Sequence, residues 1–367
     1  MPAIAQIDPK LAINAQVARL GVASAGIGEQ SRDTRTLPKA HLHLHFTGSL
    51  DVATMVKLAQ AARVKLPEQL TVGSPFSTSA TTKGWFRFQR FYDIARRAVV
   101  GEAAMRAVID NAARLDAADG ARRLEIQIDP TSYAPSVGGI INALDIVLDE
   151  ATQASRRTGV EIGVIVAASR LRHPMEARTL ARLAARHVGT GPGQVVGFGL
   201  SNDEWAGDTA TWEGAFRIAR NAGLPGVPHG GELRGPDHVR VVLAALHPAR
   251  LGHGVRATED PALMNQIIEA GVAFEVCPAS NVQLGVYHSL QDVPLRKLVQ
   301  AGATVALGAD DPLLFRSRLA DQYEKARELG FDDAELADLA RSSIRASFAT
   351  DEAKARWLAE VDAWLIG

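Results

Sequence analysis

The chain has 367 residues, 47% of them hydrophobic and 22% charged, with 40 basic against 41 acidic residues and a formal net charge of -1. That balance gives no reason to invoke nucleic acid or an anionic membrane as a partner, and the single cysteine, Cys277, excludes an internal disulfide and a Cys-rich zinc site. No run is long and apolar enough to cross a bilayer, and the N-terminus shows no basic segment leading into an apolar core, so the chain reads as cytoplasmic.

Residues 1–36 are rich in Ala, Gly and Ser and read as a peripheral arm. From Pro38 onward short β-rich runs ending in polar or glycine residues alternate with helical segments. The expected strands are Ala40–Phe46, Arg122–Asp129, Glu161–Ala168, Val195–Leu200, Leu224–His229, Arg250–His253, Ala273–Cys277 and Thr304–Gly308. Eight such runs predict a (β/α)8 barrel of the TIM type over residues 37–367. The first two strands are separated by a long stretch, too long for a bare loop, that predicts a helical insertion over about 47–121. Loops after barrel strands gather at the C-terminal mouth, so this insertion is expected to act as a lid. Within it Trp85, Phe88 and Tyr92 share one helical face, suited either to ordinary core packing or to a wall for a flat ligand. Extra helices are expected after the eighth strand, over Ser317–Leu329, Asp333–Ser347 and Asp351–Leu365.

The first strand reads Leu37-Pro-Lys-Ala-His-Leu-His-Leu-His-Phe-Thr-Gly48. Strand side chains two apart share a face, so His41, His43 and His45 are expected to point one way, a costly arrangement to bury without a metal. Other polar clusters sit at the ends of later strands: His229-Gly-Gly-Glu232 at the fifth, Gly252-His253-Gly254 at the sixth and Asp310-Asp311-Pro312 at the eighth. A barrel brings such ends to one mouth, where imidazoles and a carboxylate suit zinc.

With Leu200-Ser-Asn-Asp-Glu204 and Cys277-Pro-Ala-Ser-Asn281, these motifs resemble, in order, those of the adenosine deaminase family of the amidohydrolase superfamily, from about Leu37 to Lys354. The resemblance implies one zinc ion held by His43, His45, His229 and Asp310, with His41 left over as a lower-layer barrel residue. It implies that Glu232 gives a proton to the ring nitrogen beside the amino-bearing carbon, that His253 orients the attacking oxygen, and that Asp310 takes the water's proton. Contacts to the aminopurine are implied for His45, Thr47, Asp311, Phe88 and the backbone near Asn202. The fourth strand contains no lysine of the kind that bridges two metals in amide-hydrolysing relatives, which favours one metal.

Four residues depart from the family's pattern. Thr47 stands where an acidic residue contacts the sugar, Asn202 replaces a glycine, and Gly308-Ala309 replaces Asn-Thr. The reaction expected is therefore hydrolytic deamination of a 6-aminopurine, with adenosine first. The alternatives are free adenine, a 5′-modified adenine nucleoside, or a purine-binding protein without activity. Nothing in the sequence reads out an oligomeric state.

Overall fold

The structure is a computed structural model that describes residues 31–72 and 74–367; the expected N-terminal arm lies almost wholly outside the described residues. Within the unit Asp33–Gly367 eight strands run in sequence order: β1 (Lys39–His45), β2 (Ala121–Ile128), β3 (Glu161–Ser169), β4 (Val195–Ser201), β5 (Gly226–Gly230), β6 (Arg250–His253), β7 (Ala273–Val276) and β8 (Val305–Leu307). Every bound falls within two residues of the one expected. All neighbouring pairs are parallel. The ring closes where the Asp310 N–H donates to the His43 carbonyl at 3.0 Å and the His45 N–H to the Asp310 carbonyl at 3.0 Å. The (β/α)8 expectation holds.

Helices wrap the outside, among them Ile140–Thr158, Pro174–Ala184, Glu213–Asn221, Pro236–Leu246 and Pro261–Glu269. Their apolar faces cover the outward side chains of the strands; Phe216, for example, meets Phe198 edge-on at 5.2 Å between centroids. Inside the barrel one layer is apolar: Ile165, Val196 and Val227 pack with Phe348. Next to it sits a charged layer. Arg123 donates to Glu125 at 3.0 Å, Glu125 pairs with Arg250 at 2.7 Å, and Arg250 donates to Glu275 at 2.6 Å. All four side chains are fully buried. The Arg250 guanidinium also lies 3.9 Å above the Phe348 ring, joining the two layers.

The expected common face of the three histidines is corrected by the pairing of β1 with β2. His41 pairs with Leu124 and Leu44 with Ile126, so β1 takes three steps where β2 takes two. Such a bulge reverses the facing of everything before it. His41 is thereby turned out of the barrel interior. Its Nδ1 lies 2.9 Å from Asp116, and its Nε2 accepts the Ala309 N–H at 3.0 Å.

The segment between β1 and β2 forms α1 (Val52–Ala61), α2 (Thr82–Arg96) and α3 (Gly101–Ala118). Asp51 starts α1 by accepting the Thr54 N–H at 2.7 Å. The link into α2 is tied to the far side of the mouth, where Phe76 N–H donates to Leu314 and Thr78 N–H to Gln283. After β8 come Leu319–Glu328, Asp333–Ala346 and Asp351–Ile366; Asp332 and Glu335 form a reciprocal capping box at the second of these.

His41 thus has a structural position with a measurable signature. His41→Ala leaves a buried carboxylate and the Ala309 N–H without their partner, which costs about 2–4 kcal/mol. Denaturant unfolding should show that loss while metal content stays that of the wild type; loss of the metal instead would make His41 a ligand.

Candidate active site

His43 and His45 project from the inner face of β1, His229 from β5 and Asp310 from just past β8. His45 Nε2 lies 3.2 Å from His229 Nε2 and 3.2 Å from Asp310 Oδ1, and His43 Nε2 lies 3.7 Å from the same oxygen. His43 Nδ1 faces Glu275 at 2.7 Å and His229 Nδ1 faces the Leu200 carbonyl at 3.1 Å. Both partners only accept, so each Nδ1 carries a proton and each Nε2 faces the cluster. His43 Nε2 is buried without any hydrogen-bond partner. Imidazole nitrogens that converge with a carboxylate fit a cation, and nitrogen with one oxygen fits zinc.

The surroundings also favour positive charge. Burial lowers the basicity of His43, but the Asp310 and Glu275 carboxylates outweigh it and raise its pKa to about 9. Burial opposes ionisation of Asp310 as well; its contacts with His43 and His45 prevail and hold it well below the usual carboxylate range. Asp310 is further fixed by the Ser280 hydroxyl, which donates to Oδ2 at 2.6 Å.

Glu232 follows β5 after the turn at Gly230 and Gly231. Its loop is gripped by Glu204, whose carboxylate accepts the N–H groups of Glu232 at 3.1 Å, Leu233 at 2.9 Å and Arg234 at 2.7 Å. From behind, Arg170 donates to the His229 carbonyl at 2.8 Å. Glu232 Oε1 stands 3.5 Å from His253 Nε2. Burial, and then the negative charges of Asp310 and Glu204, push the Glu232 carboxyl well above its ordinary range, which favours its protonated form. Asp311 is raised well above its range too, by burial first and Asp310 second. His253 has the opposite fate: burial and the charge of His43 lower it to about 3, leaving a neutral ring. Asn281 approaches His253 Nδ1 at 3.4 Å.

Three of these positions have unusual backbones. Asn202 (φ +79), His253 (φ +63) and Asp310 (φ +61) all adopt the left-handed conformation. This accounts for Asn202 at a glycine position, since asparagine tolerates that conformation better than most residues. Gly48 has a different reason: a Cβ there would stand 1.7 Å from Asp311 Oδ1. The glycine after the first histidine pair is space for the Asp311 carboxyl.

Above the histidines lies a cavity of about 330 Å³. His45, Asn202, Glu232, His253, Asp310, Asp311 and Phe88 all line it, with Trp85 and Tyr92 from α2. Phe88 both lines the cavity and packs as core, stacked on Phe315 at 5.6 Å. Trp85 Nε1 reaches Asn202 Oδ1 at 3.4 Å across the mouth. Thr47 does not line it: fully buried, its hydroxyl bonds the Tyr133 hydroxyl at 2.7 Å. Tyr133, from beyond β2, takes its place in the wall.

Glu275, Arg250, Ser280 and Arg170 were not singled out from the sequence as site residues, because each acts through a neighbour and not through the cavity. A carboxylate on the far nitrogen of a ligating histidine fixes ring and tautomer. Glu275→Gln should therefore weaken zinc binding about 10–100-fold, read by competition with a chromophoric chelator; unchanged affinity would remove Glu275 from the metal centre.

Comparison with known proteins follows the same lines. Residues 38–364 match the family model described as adenosine deaminase. The chain is 54% identical over 341 residues to a putative adenosine/adenine deaminase of Streptomyces virginiae, covering 92% of this chain and 100% of that one. It is 32% identical over 335 residues to an adenine deaminase of Agrobacterium fabrum (strain C58 / ATCC 33970), covering 89% and 99%. Among solved structures it is similar to adenine deaminase from Arthrobacter aurescens, with a TM-score of 0.81 and 29% identity over 90% of this chain and 100% of that one. The chain belongs to the adenosine deaminase family and is a hydrolase of the carbon–nitrogen bond in cyclic amidines, of the adenine/adenosine deaminase type.

Proposed function

We propose that the chain removes the 6-amino group from an adenine nucleoside, adenosine first, with one zinc ion per chain. The observation that carries the nucleoside reading is the shape of the cavity. From the histidine cluster it continues to Asp129, Ser132, Tyr133, Ser169 and Arg172, a polar wall additional to the groups assigned to the base and suited to a sugar.

His43, His45, His229 and Asp310 would hold the zinc, which supplies a Lewis acid that makes water nucleophilic near neutral pH. Glu232, protonated in its buried setting, delivers its proton to the ring nitrogen beside the reacting carbon, so charge is neutralised as that carbon becomes tetrahedral. Asp310 takes the proton released by the attacking water and returns it to the departing amine. His253, neutral and within 3.8 Å of Asp310 and 3.5 Å of Glu232, orients the attacking oxygen between them. Asp311, whose burial favours the protonated form, shares a hydrogen bond with the imidazole-ring nitrogen, and the left-handed backbone at Asn202 faces the pyrimidine side. The insertion carrying Trp85 and Phe88 serves as the lid over the ring, and residues 37–367 act as one catalytic domain.

A second reading, free adenine as substrate, has its own support in the names of the Agrobacterium and Arthrobacter relatives and in a Thr47 hydroxyl already committed to Tyr133. Ammonia release from adenine, adenosine, 2′-deoxyadenosine and 5′-substituted adenosines decides between them; turnover of adenine alone overturns the nucleoside reading.

Two further outcomes are expected. Glu232→Gln should lower kcat by at least about a hundredfold with zinc content unchanged, and near-normal turnover would remove its role. Elemental analysis should give one zinc per chain, whereas a stoichiometric second metal would contradict the proposed ligand set.

A further inference from the structure

Gln127 ends the inner face of β2, paired with His45 across the β1–β2 ladder and held by the Phe46 N–H, which donates to its carbonyl at 2.9 Å. Its side chain lines the cavity, is 1% exposed, and has neither Nε2 nor Oε1 in any hydrogen bond. A carboxamide with both functions idle in a buried place is a rare and costly arrangement. His43 Nε2 shares that condition, and there the missing partner is the cation described above. The same logic applied to Gln127 asks for a partner that both accepts and donates.

None of the protein's own groups nearby bonds the carboxamide. Arg123 and Glu125, below it on the same strand face, pair with one another and with Arg250. The Tyr133 hydroxyl is taken by Thr47. Asp129 accepts from Thr131 and Ser132 and pairs with Arg172 at 3.4 Å. What remains is the cavity. The base edges are assigned above to Glu232, Asp311 and the backbone at Asn202, which follow β5, β8 and β4. The side beyond β2 and β3 is left for whatever the base carries.

We propose that Gln127 recognises the sugar of the nucleoside, its Nε2 donating to one ribose hydroxyl oxygen and its Oε1 accepting a ribose O–H. A hydroxyl is both acceptor and donor, which matches a carboxamide that needs each. This rests on the nucleoside reading, and makes Gln127 the residue that sets preference within nucleosides.

The test uses full-length, zinc-loaded protein with adenosine, its 2′-, 3′- and 5′-deoxy forms, and adenine. Gln127→Met keeps the shape and removes both hydrogen-bonding functions. The wild type should lose about tenfold in kcat/KM on at least one deoxyadenosine. Gln127→Met should lose about the same on adenosine, mainly through KM, and should no longer discriminate against that deoxyadenosine. Zinc content and thermal midpoint should match the wild type; if they do not, Gln127→Glu, which keeps size and polarity but lacks the amide donor, is put through the same panel and should show the same flattened discrimination. A variant with the wild-type pattern of discrimination, or one impaired equally on every nucleoside, overturns the role of Gln127 alone. Wild-type enzyme that takes adenine and no nucleoside overturns the nucleoside reading, and the sugar contact with it, before any variant is made.

Discussion

The barrel depends on a seam that its metal-ligand candidates themselves make. β8 meets β1 through backbone hydrogen bonds from Asp310 to His43 and from His45 to Asp310, so the residues that close the sheet are also those whose side chains converge above it. Backbone closure fixes their Cα positions, and the left-handed twist at Asp310 then turns its carboxylate toward the histidines. Position and orientation are set by separate devices, the ladder and the strained dihedral. Such precision is what a metal centre needs, since a carboxylate displaced by an ångström no longer ligates.

Beneath the seam the interior is layered by chemistry. Phe348 and three aliphatic residues form one layer, and two arginines alternate with two glutamates in the next. Burying four charges opposes folding unless each is compensated, and replacement of such networks by apolar residues is often stabilising. The network here nevertheless ends on His43, through Glu275. Its position is intelligible as support for a ligand more than as a source of stability: Arg250 anchors Glu275, and Glu275 holds the imidazole. On the opposite side Glu204 and Arg170 do the corresponding work for Glu232 and His229, through backbone groups.

Much of this was legible in the sequence. Eight short runs with polar ends predicted the barrel, and spacing placed His229, Glu232, His253 and Asp310 at strand ends, where topology alone brings them together. The facing of His41 was not legible, because it depends on a bulge created by pairing with β2, and pairing register is not written in either strand alone. The inward glutamate and arginine positions failed for a related reason. Phe274-Glu275-Val276 reads as strand, but in a parallel sheet buried on both faces alternation does not say which side faces in. Thr47 was read as a substrate contact because the family's pattern has a sugar-contacting residue at that place; its actual partner, Tyr133, lies 86 positions away. Gln127 carried no signal until its lack of partners could be seen.

The seam has a consequence for biosynthesis. The ribosome releases the chain from its N-terminus, and His45 emerges 265 residues (310 minus 45) before Asp310. Until that last strand has been made, β1 has an open edge and the two β1 histidines lack the Asp310 carboxylate. Nascent chains that stop short of β8 therefore contain the histidines and Glu232, but neither a closed sheet nor a complete ligand set. Assembly of the proposed metal site is in this way confined to chains whose synthesis is nearly complete.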